Sequence, residues 1–138
     1  MNTRSDIYSF GVVLLELISG RAAVNCSDKS NDHISKWIER ELERKGLEGV
    51  VDSRFEENDL DYNPESVKTA LDLARECVRH TAVQRPEIAS VCNELRASLK
   101  LETDFQEQIR RGGESTNNNE NNLYKTAVST MRNWININ

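Results

Sequence analysis

The sequence predicts an all-α protein, and three observations carry that reading. From Arg4 the chain reads "RSDIYSFGVVLLELISG", an apolar run closed by Gly20. Further on, three stretches place apolar residues at the i, i+3, i+4 spacing of one helix face. Two prolines stand where helices begin, after Asn63 and after Arg85.

The first helix is expected near residues 6 to 19, with Ser5 or Asp6 as its cap and Gly20 as its stop. Phe10, Val12, Val13, Leu14, Leu15, Leu17 and Ile18 cover nearly every side of it. A helix that is apolar all round lies in the middle of something. Val12 and Val13 are weak helix formers, but length and Gly20 favour helix over strand. Residues 21 to 32 are small and polar and read as a loop. Asp32 is expected to cap "HISKWIERELERKG", with Ile34, Trp37, Ile38 and Leu42 inward and Gly46 as the stop. Lys36, Glu39, Arg40 and Glu43 then face water. "LEGVVDSRF" reads as one short helical turn, and "EENDLDYN" as an acidic surface loop. A helix capped by Asn63 carries the stripe Val67, Leu71, Ala74 and Val78, with Cys77 beside it. A last one starts at Arg85-Pro86 and carries Ile88, Val91, Cys92, Leu95 and Leu99. Three segments follow: helices over 1–100, a disordered polar linker over 101–122, and a tail over 123–138. The linker is Asn-rich and almost free of apolar residues. The tail regains helical spacing at Tyr124, Val128, Met131 and Ile135, enough for a short amphipathic helix.

Bulk properties exclude several functions. The formal charge of −5 argues against nucleic acid, which selects a basic face, and against anionic lipid. "GVVLLELIS" falls far short of the about 20 apolar residues that cross a bilayer, so no direct membrane insertion is expected. Cys26, Cys77 and Cys92 are odd in number and form no CxxC, as in reduced cysteines of an intracellular protein. His33 and His80 have no partners at ligand spacing, so no metal site is expected. The "NCS" at Asn25 is read as a chance sequon. No Gly-rich phosphate loop, nucleophile elbow or HExxH is present among the 138 residues.

"SDIYSFGVVLLELISG" and "QRPEIASVCNEL" resemble two helices of the protein-kinase large lobe, in the wording of plant receptor-like kinases. The stretch "HISKWIERELERKG…VVDSRF" between them is similar to that of leucine-rich-repeat receptor kinases. The likeness runs from about Asn2 to Leu99. It implies helices F to I of the C-terminal half of the large lobe of a serine/threonine receptor-like kinase. The parent would transfer the γ-phosphoryl of ATP, with magnesium, on the cytoplasmic side of a plasma membrane.

The resemblance also gives roles to single residues. Asp6 matches the aspartate that accepts amides of the catalytic loop. Arg85 matches the arginine that pairs with the "APE" glutamate. Gly11 matches a glycine at a crowded point of the helix. "HRDxxxxN", "DFG", "APE" and the Gly-rich loop with its lysine have no match here. They lie upstream in the family, and the chain begins at Met1, just after them. The expectation is therefore scaffold without chemistry: no catalytic, cofactor or metal residue, with the N-terminal part of the kinase domain as the missing partner. Asp6 then acts as a plain helix cap, and Arg85 turns to solvent or pairs locally. Apolar surface around Tyr8, Val12 and Leu15 is expected to be uncovered and open to protein partners. Other readings are a non-catalytic binding module or decoy, and an unrelated helical adaptor.

Overall fold

A computed structural model describes residues 3–24, 33–57 and 61–112. Among these residues six α-helices follow in order: α1 (Thr3–Ser19), α2 (Ile34–Lys45), α3 (Leu47–Val50), α4 (Arg54–Glu57), α5 (Pro64–Cys77) and α6 (Ile88–Gly112). A 3-10 turn, Ala82–Gln84, precedes α6. Among the described residues there is no sheet. One isolated bridge, Val24 to His33, closes the loop between α1 and α2.

The helix starts and stops follow local chemistry, with three corrections. Asn63 accepts the Glu65 N–H at 3.0 Å and Pro64 opens α5, as expected. Gly20 and Gly46 end α1 and α2 with φ of 69° and 72°, and their N–H groups reach the carbonyls of Glu16 and Leu42. In α1, however, helix begins at Thr3, so neither Ser5 nor Asp6 is the cap. In α2 the cap is His33, whose Nδ1 accepts the Ser35 N–H; Asp32 lies outside the described residues. In α6 helix begins at Ile88, because Arg85 is extended (φ −74°, ψ 146°) after the 3-10 turn, so Pro86 stands two residues ahead of it. The short apolar stretch after Gly46 makes two single turns, α3 and α4.

The core has two halves joined by α5. On one side Leu14 and Leu15 of α1, Ile34 and Ile38 of α2, and Val50 meet Leu71 and Ala74 of α5. On the other, Ile7 of α1 and Val91 of α6 meet Leu73 and Cys77. The order of these contacts makes α5 antiparallel to both α1 and α6. The most apolar helix is thus not the most enclosed one. Six residues of α5 are buried, and its small Ala70, Ala74 and Cys77 let neighbours approach on two sides. α1 packs on α5 and α2 and leaves one stripe in water: Val13 is 43% exposed and Leu17 47%. The expected open surface at Tyr8, Val12 and Leu15 is therefore displaced. Leu15 is fully buried, and Tyr8 and Val12 are half-buried.

α6 also corrects the segment boundaries. It runs twelve residues past 100 into the stretch read as a polar linker. Phe105 and Ile109, one turn apart, are half-buried, and Glu102 is buried. The remainder of that linker, and the tail over 123–138, lie outside the described residues.

Candidate functional site

The first two turns of α1, the start of α2 and the turn after α5 surround an open cleft of about 500 Å³. Ser5, Tyr8, Ser9, Ser35, Val78, His80 and Arg85 line it. Arg85 gives the cleft its shape. Its Nε–H donates to the carbonyl of Arg79 at 2.8 Å, its Nη1 to that of Arg4 at 3.0 Å, and its Nη2 to that of His80 at 3.4 Å. The guanidinium lies over the Tyr8 ring, 4.8 Å from its centre. Arg4 reciprocates, with Nη1 donating to the carbonyls of Arg85 and Ala82. A planar fork with five donors is suited to this, because several carbonyls can be gathered at once. Tyr8 also meets His33 at 6.4 Å between ring centres.

The other two residues singled out by sequence lie near this cleft. Asp6 is exposed in the first turn of α1, where a carboxylate favours the helix dipole. Gly11 is buried against the C-terminal end of α5. A β-carbon there would stand 2.6 Å from Cys77 Cβ and 2.9 Å from Val78 Cγ1. The structure thus brings Arg85 to the N-terminal end of α1 and puts Gly11 one turn further along that helix. Arg85 neither turns to solvent nor pairs only locally: it joins the near carbonyls of Arg79 and His80 to the distant Arg4 carbonyl and Tyr8 ring.

Asp52 and Cys77 are among the titrating groups outside the cleft that are shifted. Hydrogen bonds from Arg54 hold the Asp52 carboxyl below its ordinary value of 3.8, against a smaller opposing effect of burial. Burial, with help from Glu76, pushes the Cys77 thiol up from 9.0 to about 11, which disfavours the thiolate. Among the described residues no three His, Cys, Asp or Glu side chains gather as metal ligands. None of the described helices is long and apolar enough to cross a membrane.

Sequence reasoning missed Arg4 and Glu102. Arg4 works through a turn 81 residues away, which no local spacing announces. Glu102 is buried at the start of α5. Its one local sign is Ser98 and Gln106 at four residues to either side, polar neighbours on the same helix face.

No protein-family model matches the chain. Curated proteins of Arabidopsis thaliana do. The probable LRR receptor-like serine/threonine-protein kinase At2g28960 is 40% identical over 102 residues, which is 74% of this chain and 11% of that protein. The probable LRR receptor-like serine/threonine-protein kinase PAM74 is 34% identical over 129 residues, 94% of this chain and 13% of that protein. The receptor-like protein kinase At3g21340 is 31% identical over 129 residues, with the same coverage. The chain spans about a tenth of the length of the curated relatives it matches. With the helical fold and two kinase-like motifs in order, these matches place it: the chain belongs to the plant leucine-rich-repeat receptor-like serine/threonine kinases, as a C-terminal part of the kinase large lobe.

Proposed function

We propose that this chain supplies the helical scaffold of a receptor-like serine/threonine kinase and none of its chemistry. The cleft at the N-terminal end of α1 is the observation that carries the reading. In the family, the aspartate matching Asp6 and the arginine matching Arg85 hold the catalytic loop and the "APE" segment. Both stand at this end of α1, and the exposed Val13 and Leu17 lie further along the same helix. The whole kinase would then transfer the γ-phosphoryl of ATP to Ser or Thr, with magnesium, on the cytoplasmic side of a plasma membrane.

The residues of the cleft do not fit magnesium–ATP. Its donors are hydroxyls, an imidazole and a guanidinium already engaged with three carbonyls. A nucleotide site of this family needs a lysine on the phosphates and fixed carboxylate and amide ligands for the metal. A second reading, a non-catalytic binding module or decoy, draws on the exposed pair Val13 and Leu17, an apolar strip suited to a partner helix.

Calorimetric titration with magnesium–ATP, beside a radiolabel transfer assay on a generic Ser/Thr substrate, tests the proposal. The expected result is neither binding near physiological nucleotide concentrations nor label transfer. Saturable stoichiometric binding, or transfer that survives repurification, would overturn it. Recovery of transfer on adding a separately produced upstream kinase half would favour the scaffold over the decoy.

A further inference from the structure

Glu102 is 6% exposed, and the three groups that meet its carboxylate are all neutral donors. Oε2 accepts the N–H of Asn63 at 3.0 Å and the hydroxyl of Ser66. Oε1 accepts Nε2 of Gln106 at 2.7 Å. Around this centre the two helices interlock. The Ser98 hydroxyl donates to the Ser66 carbonyl at 2.7 Å, Asn63 Nδ2 to the Leu101 carbonyl at 3.4 Å, and Gln106 Nε2 to the Asp61 carbonyl at 2.9 Å. The carboxylate also sits at the N-terminus of α5, where the helix dipole favours negative charge.

The geometry points to Glu102 as a latch that holds the last three turns of α6, residues 101–112, against the first turn of α5. This device lies beyond the scaffold role and does not depend on it. A carboxylate suits the position because each of the three groups that reach it donates, and its two oxygens both accept. A glutamine there turns an NH2 group toward the Asn63 N–H, which cannot accept it, or toward Gln106, which can accept only by turning its amide and giving up the Asp61 carbonyl. The closure is also finely balanced. Oε1 of Gln106 is buried with no partner among the described residues, so the shut latch leaves one acceptor unmet. Opening it releases that atom to water. The outer part of α6 therefore comes away as a unit while the two core halves on α5 persist.

Hydrogen exchange read peptide by peptide on the full chain tests this. In Glu102→Gln, amides of residues 103–112 exchange about tenfold faster or more, while those of α1 and the C-terminal half of α5 keep their rates. The exchange of roles in E102Q/Q106E, with an amide at position 102 now donating to a carboxylate at position 106, restores part of the protection. Unchanged rates over 103–112 in E102Q would overturn the latch. So would equal loss of protection in α1, which would make Glu102 a support of the whole fold. A double variant no better than E102Q would overturn the donor–acceptor register on which the inference rests.

Discussion

Gly11 lies where α1 crosses α5, with Cys77 Cβ, Val78 Cγ1 and the Ala74 carbonyl all within 3.1 Å of where a β-carbon would be. Alanine normally gains about 1 kcal/mol over glycine inside a helix. Here the neighbours are a side-chain stem, a methyl of a β-branched side chain and a backbone oxygen, none of which yields cheaply. Gly11→Ala should therefore destabilise, by about 1–3 kcal/mol, as overpacked cores do. A urea midpoint at or above that of the parent would contradict this. Its neighbour Cys77 has a raised pKa, from 9.0 to about 11. The neutral thiol is the form the fold favours, so its contribution is complete below pH 9 and declines as pH rises toward 11. Cys77→Ala should flatten the stability profile in that window, as read by thermal melts. Asp52 has the opposite sign. Its pKa is lowered, so its contribution is present above the ordinary value of 3.8 and is lost as pH falls below it.

At the scale of elements, Arg85 binds the turn after α5 to the first turn of α1. Arg85→Ala removes three donors from the carbonyls of Arg79, Arg4 and His80 and bares the Tyr8 ring. A loss of about 2 kcal/mol is expected, with faster hydrogen exchange at residues 78–87. Arg85→Lys should recover little, because a point charge cannot span three carbonyls. Trp37 of α2 packs half-buried against the core beneath Arg21, whose guanidinium stands 4.2 Å from the ring centre. Trp37→Ala should cost about 2 kcal/mol, less than a fully enclosed Trp. Periodicity found the existence of α1 and the inner faces of α2 and α5, since Ile34, Ile38, Leu71 and Ala74 are buried as their spacing demands. It failed where tertiary pairing decides. Ile88 fits the stripe of α6 and is 56% exposed, because the 3-10 turn starts that helix beyond the reach of the core. Residues 101–112 look like linker by composition, yet are helical against the start of α5. Asp6 and Gly11 were found by family wording, whereas the carbonyl cluster around Arg85 depends on contacts across 81 residues.

For the whole molecule, the surface with the largest consequence is the strip on α1. Val13 and Leu17 stand one turn apart and nearly half in water. Such a strip promotes association when nothing covers it. The parent chain is expected to sediment with a concentration-dependent mass. Val13→Glu with Leu17→Lys should give a monomer of unchanged helicity, since Glu followed by Lys at i+4 supports a helix. A parent chain monomeric at all concentrations would show that the strip is too small to drive contact.

The reciprocal arginines, Arg4 and Arg85, also bear on how the chain is made. Within this chain α1 is synthesised well before the helix and the turn that seat it. At a ribosomal pace of about 5–20 residues per second, several seconds separate Arg4 from Arg85. Through that interval "GVVLLELIS" is emerging with α5 not yet translated. As a continuous apolar run it is expected to attract a chaperone until α5 and its turn arrive to cover it. Nascent chains stalled before α5 should be held by chaperones, and chains stalled after Arg85 is clear of the ribosome should let go.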